Sequence, residues 1–128
     1  MQSVQLLLVQ VKDKDVEQAS ALISEVVEEI TMAEGTIFHI VSAIIIATFD
    51  FGSRADANPE VQCEAVVSSL RKRLGNDISA LYGMCIAVYG NFGSPNLMHY
   101  GPFIHNMSDL LAQLRNLELG SFQKIEQC

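Results

Sequence analysis

The 128-residue sequence is short of basic residues and of long apolar runs. Lysine and arginine total 8, whereas aspartate and glutamate total 15, which gives a formal net charge of -7. Nucleic-acid sites need clustered basic side chains to displace counterions, so we expect no nucleic-acid partner. No apolar run approaches the roughly 20 residues that span a bilayer, so we also expect no membrane insertion.

Cysteine is scarce as well. The three cysteines, Cys63, Cys85 and Cys128, are an odd number at spacings that match no metal or redox motif. We therefore expect reduced, packed thiols, which favour a cytoplasmic location. The first residues carry no basic leader and are already strand-like, so we expect no signal peptide.

The most apolar segment spans residues 35–51 and is rich in branched and aromatic side chains, which favour extended backbone. A weak break at Ser42 and Ala43 would let it fold back as a buried hairpin. A chain of this length can bury roughly two thirds of its unfolded surface. We therefore expect one domain over residues 1–128, with the other elements packed on this hairpin.

Periodicity and helix-capping residues predict the other elements. In chain order we expect a strand at 4–11, a helix between Asp13 and Gly35, the hairpin, a second helix from Asn58-Pro59 to Gly75, a strand at 78–89, a loop at 90–96, a short strand at 97–100, a third helix at about 103–117 and an edge strand at 121–126. The order β, α, β, β, α, β is that of the ferredoxin-like split βαβ plan. It predicts an α+β fold in which helices cover one face of an antiparallel sheet.

The residues alone predict no self-contained catalytic site. The segment GNFGS at 90–94 has two glycines, but it joins two strands instead of opening a helix, as a phosphate-binding loop would. His39, His99 and His105 lack the spacing of a zinc site. We therefore expect no metal ion and no cofactor.

Three segments together resemble a known family. GTIFHIVSAIIIATFDF, YGMCIAVYGNFGS and HYGPFIHNMSDLLAQL are similar to core blocks of the class III nucleotidyl cyclases, the adenylate and guanylate cyclase catalytic domain. The resemblance implies a ferredoxin-like domain that dimerises, as a homodimer or with a related domain. It also implies nucleotide sites that form between the two protomers.

The same resemblance implies that the chemistry is missing. The two aspartates that hold the metal ions in the family fall on Gln10 and Ala43, and neither residue offers a carboxylate. The base-reading pair falls on His39 and Met98. The asparagine and arginine that steady the ribose and the transition state fall on His105 and Asp109, so all six positions depart from the family pattern.

The leading hypothesis is therefore a catalytically inactive, cyclase-like regulatory or dimerisation module. One alternative is a divergent adenylate or guanylate cyclase, or the non-catalytic half of a heterodimeric cyclase. Another is a small-molecule-sensing domain with an adaptable apolar pocket at a dimer interface, for a nucleotide or another ligand. The residues that would line this pocket are Met84, Met98, Met107, His39 and His105. A ferredoxin-like chain with only a superficial likeness to cyclases is the third.

Overall fold

The computed structural model describes residues 2–11, 15–49, 58–94, 97–104 and 106–125. The elements in these ranges are β1 (Gln2–Val11), α1 (Val16–Met32), β2 (Thr36–Val41), β3 (Ile44–Phe49), α2 (Pro59–Leu74), β4 (Ile78–Ser94), β5 (Leu97–Ile104), α3 (Met107–Asn116) and β6 (Phe122–Lys124). Among the described residues, no helix combines the length and the apolar character needed to cross a membrane.

The strands form one sheet in the order β2-β3-β1-β4-β5, and β6 also pairs with β4. β1 runs antiparallel to both β3 and β4, and β2 and β3 form an antiparallel hairpin. α1 and α2 each connect two strands that are separated by a third strand, as the split βαβ plan requires. The prediction of an α+β, ferredoxin-like fold is therefore confirmed.

The helices cover both faces of this sheet. α1 and α2 pack against odd-numbered residues of β1, so that Leu7 shares a buried cluster with Val26 and Leu70. α3 packs on the opposite face, where Leu114 shares a second cluster with Leu8. The prediction that helices cover one face thus holds for α1 and α2 and is wrong for α3. β1 carries apolar side chains at both its odd-numbered and its even-numbered positions. Both faces of the strand must therefore be shielded from water.

The β4–β5 hairpin is longer than the sequence predicts. Residues 90–94, expected as a loop, continue β4 and pair with residues 97–101 of β5. Residues 103 and 104, expected to begin the third helix, pair with Val88 and Ala87 instead, and α3 begins at Met107. The hydrogen bonds between the strands join backbone N–H and C=O groups, which glycine also has. The glycines in this hairpin therefore do not end either strand.

Capping side chains set the starts of α1 and α2. The Asp15 carboxylate accepts a hydrogen bond from the Gln18 amide at 2.8 Å. The Asn58 side chain accepts from the amides of Glu60 and Val61 at 3.0 and 3.3 Å. These caps satisfy N–H groups that no carbonyl of the same helix can reach. The predicted start of the second helix at Asn58-Pro59 is confirmed.

The C-terminal segment runs along the edge of β4. β6 pairs in parallel with residues 80–82, which makes the sheet mixed, and confirms the predicted last strand over three of its residues. The Arg71 guanidinium of α2 lies 5.0 Å from the centre of the Phe122 ring. The Lys124 ammonium pairs with the Glu60 carboxylate at 3.2 Å. Contacts with α2 therefore hold this segment in place.

The cysteines differ in state. Cys63 is a buried free thiol, as predicted. Cys85 is disulfide-bonded, so the prediction of reduced cysteines is wrong at that position. Cys128 lies outside the described residues. Disulfide pairing depends on distances in the folded chain, which sequence spacing does not give. The cysteines therefore give no support to a cytoplasmic location, which stays a prediction.

Candidate functional site

A cavity of about 350 Å³ lies where β1 ends beside the β2–β3 turn. The Val11 amide donates a hydrogen bond to the Ala43 carbonyl at 2.8 Å, and Gln10 pairs with Ile44 in the β1–β3 ladder. These contacts bring together Gln10 and Ala43, the two positions of the metal aspartates in the cyclase resemblance. The cavity is lined by Gln10, Val11, Ser42, Ala43, Ile44, Arg115, Leu117 and Leu119.

The polar side chains of this cavity are an amide, a hydroxyl and a guanidinium, from Gln10, Ser42 and Arg115. In the described part of the chain, no residue lining the cavity is acidic. Magnesium ions are bound through carboxylate and phosphate oxygens, and a guanidinium repels a divalent cation. The residues present therefore do not fit the metal ions that the cyclase resemblance implies.

The β2–β3 turn consists of Ser42 and Ala43, as the sequence predicts. Ser42 has a φ of 54°, which lies in the left-handed region. A positive φ in a two-residue hairpin turn matches the right-handed twist of the flanking strands. Both turn residues line the cavity, so the hairpin fixes one of its walls.

A second cavity of about 500 Å³ lies on the other side of the same turn. The N-terminal half of α1 forms its opposite wall, with Ser20 and Ser24 as polar groups and Val16 and Ile23 as apolar ones. None of the described residues that line this cavity is charged. Together the two cavities border the Ser42-Ala43 turn from both sides.

His39 and Met98, the predicted base-reading positions, lie far apart within one chain. His39 is exposed on β2, and Met98 belongs to β5. These strands are the two ends of the order β2-β3-β1-β4-β5. With neighbouring strands about 4.8 Å apart, the two residues are separated by roughly 19 Å or more. A site that used both of them would require a second chain.

Of the two remaining predicted positions, the structure describes Asp109, which does not line the Gln10 cavity. Asp109 is exposed in the first turn of α3, and His105 lies outside the described residues. Of the methionines proposed for a sensing pocket, Met84 is exposed on β4. Met107 packs against the second buried cluster, which contains Leu8 and Leu114. Neither methionine lines the two cavities beside the turn.

Sequence reasoning missed Arg115. This residue lies in the last turn of α3, directly after the buried Leu114. Its place beside an inward-facing leucine is a sequence signal that it lies at the rim of the helix–sheet contact. Nothing in the sequence, however, indicates which strand end this last turn would face.

The described residues contain few other candidate groups for chemistry. No three histidine, cysteine, aspartate or glutamate side chains come close enough among them to hold a metal ion. Burial raises the pKa of the Cys63 thiol to about 12, against a smaller opposing effect of the Gln5 side chain. The thiol is therefore protonated at neutral pH and is a poor nucleophile.

Comparison with known proteins identifies the fold. No protein-family model matches the chain, and no curated protein matches it. Among solved structures, adenylyl cyclase CyaB from P. aeruginosa is similar with a TM-score of 0.76 and 14% identity, over 94% of this chain and 74% of that one.

Two structures of the guanylyl cyclase domain of RhoGC fusion protein from the aquatic fungus Blastocladiella emersonii are also similar. The dimeric form gives a TM-score of 0.73 at 7% identity, over 98% of this chain and 80% of that one. The monomeric form gives a TM-score of 0.64 at 8% identity, over 97% of this chain and 81% of that one. The chain therefore has the fold of the adenylyl and guanylyl cyclase catalytic domains across most of its length.

Proposed function

We propose that this chain is a non-catalytic module with the cyclase fold, which acts by pairing with a second cyclase-like domain in signalling. The observation that supports the proposal is the set of side chains that line the cavity at the end of β1. A cyclase needs anionic metal ligands there, and the chain has Gln10, Ala43 and the Arg115 guanidinium instead.

The number of catalytic contacts that are missing favours an inactive protein over a weakly active enzyme. Removing one preorganised electrostatic contact typically costs about 3 to 4 kcal/mol of transition-state stabilisation. Here both metal-binding positions lack a carboxylate, and Asp109 adds a negative charge where the resemblance implies an arginine. Losses of this size in combination would reduce turnover to the uncatalysed level.

Exposed apolar surface supports a pairing role. Ile40 and Val41 of the edge strand β2 are 44% and 41% exposed, and Ile86 of β4 is 57% exposed. Apolar side chains on a sheet edge are a common site of contact with another chain. The separation of His39 and Met98 agrees with this role, because the two positions could meet only across two chains.

We expect the purified chain to form no cyclic nucleotide from ATP or GTP with manganese, because Gln10 and Ala43 offer no carboxylate to a metal ion. Mass spectrometry of the reaction mixture measures the product, with an active cyclase assayed in parallel. Product that disappears in the Asp109→Asn variant would contradict the proposal, since a contaminating cyclase would not respond to that substitution.

Light scattering on the same sample measures the pairing. A dimer supports the proposed role, whereas a monomer at every concentration tested argues against self-association. Product that forms only after mixing with a catalytic cyclase chain would identify this chain as the non-catalytic half of a heterodimer.

A further inference from the structure

We infer that the Gln10–Arg115 cavity, the 350 Å³ cavity described above, binds a small oxyanion such as phosphate without a metal ion. The inference deepens the proposed regulatory function, because it names the ligand class of the same site. Three features of the described residues support it: Arg115 has no ion pair, neutral donors line the cavity with it, and no lining residue is acidic.

Arg115 is free to bind an anion. Of the three arginines in the described part of the chain, Arg71 contacts the Phe122 ring and Arg73 pairs with Glu29. Arg115 has no ion pair with any described residue, although it is the charged residue that lines the cavity. A guanidinium presents several N–H donors in a fixed fork that matches phosphate oxygens.

Neutral hydrogen-bond donors surround the same space. The Gln10 amide and the Ser42 hydroxyl line the cavity with Arg115. Ser79 is the direct partner of Gln10 in the β1–β4 ladder, so the two side chains lie on the same face of the sheet. The Ser79 hydroxyl is fully buried and has no hydrogen-bond partner among the described residues. Ser79 is not one of the residues that line the cavity, so it places an unsatisfied polar group beside Gln10 and is not counted as a donor to the ligand.

No acidic residue is among the described residues that line the cavity, although Glu118 lies between the lining residues Leu117 and Leu119. The net charge of -7 would repel an anion at long range, so affinity must come from local donors. The carboxylates of Glu25 and Glu29 lie on α1, and those of Glu60 and Glu64 lie on α2. Both helices pack on the face of the sheet opposite α3, away from Gln10 and Arg115.

The test is a titration of the ¹⁵N-labelled chain with inorganic phosphate, in EDTA and at constant ionic strength. We expect saturable shifts of the Gln10, Ser42 and Ala43 amide resonances. Arg115→Gln should weaken binding about tenfold or more, because it removes the charge-assisted hydrogen bonds. Lys72→Gln is the matched control, since it removes an exposed cation of α2 and should leave the affinity unchanged.

A second variant tests the sign of the charge. Gln10→Asp replaces an amide of the cavity lining by a carboxylate and should weaken phosphate binding without unfolding the chain, which circular dichroism checks. A titration with ATP under the same conditions shows whether the favoured source is free phosphate or a nucleotide. Either source supports the inference if its binding depends on Arg115.

Three results would overturn the inference: no shift of these amides with phosphate or ATP, equal affinity in wild type and Arg115→Gln, or binding that requires added magnesium. These outcomes are separable from failure of the proposed function. Cyclic-nucleotide formation would refute the non-catalytic role, whereas loss of phosphate binding alone would leave that role and the pairing measurement intact.

Discussion

Replacing Leu114 by alanine should lower the free energy of unfolding by about 2 to 5 kcal/mol. Leu114 is completely buried between α3 and the sheet, in the cluster that includes Leu8. The substitution removes packed methyl groups and leaves a cavity that neighbouring side chains fill only partly. Urea unfolding monitored by circular dichroism measures the change.

Gln113→Ala is the matched control for this experiment. Gln113 is exposed on the same helix, so its replacement should change stability by no more than about 0.5 kcal/mol. The packing of α3 also holds Arg115 beside Gln10, so Leu114→Ala should weaken phosphate binding as well. A loss of stability similar to that of the control would mean that α3 does not pack on this face of the sheet.

Replacing Gly35 by alanine should destabilise the chain by about 1 to 3 kcal/mol, because the core has no room for another carbon. A β-carbon at this position would lie 2.7 Å from Cγ2 of Ile30 and 2.8 Å from Cε1 of Phe49. Both neighbours are fully buried, so neither can move into solvent. The same unfolding assay measures the effect.

A double variant tests the cause of that destabilisation. Phe49→Leu removes the ring atoms that the new methyl group would meet. The cost of Gly35→Ala should therefore be smaller in the Phe49→Leu background than in the wild type. Equal costs in both backgrounds would show that overlap with the Phe49 ring is not the cause, and would assign the cost to the contact with Cγ2 of Ile30.

Local signals in the sequence predict most elements of the fold. The Ser42-Ala43 break predicts the hairpin, and Asn58-Pro59 predicts the start of α2, because turn and cap preferences act within a few residues. The face that α3 covers depends instead on tertiary packing. The length of the β4–β5 hairpin depends on backbone pairing between strands, to which glycine composition is a poor guide.

The candidate site is predictable only in part. The cyclase resemblance predicts that Gln10 and Ala43 belong to one site, and the cavity contains both of them. Arg115 comes from a distant helix whose position depends on the α3–sheet contact. Its charge reverses the expected electrostatics of the cavity, which a search for the family's aspartates cannot reveal. The roles of His39, Met98, His105 and Asp109 stay predictions.

We propose that the cavity beside the Ser42-Ala43 turn binds no metal ion, although the chain has the cyclase fold. Paramagnetic broadening of amide resonances by manganese tests it most directly, with Gln10→Asp/Ala43→Asp as the positive control. We expect the Gln10, Ser42 and Ala43 amides of the wild type to keep their intensity at manganese concentrations that broaden those of the double variant. Broadening of the wild-type amides at the same concentrations would contradict the claim.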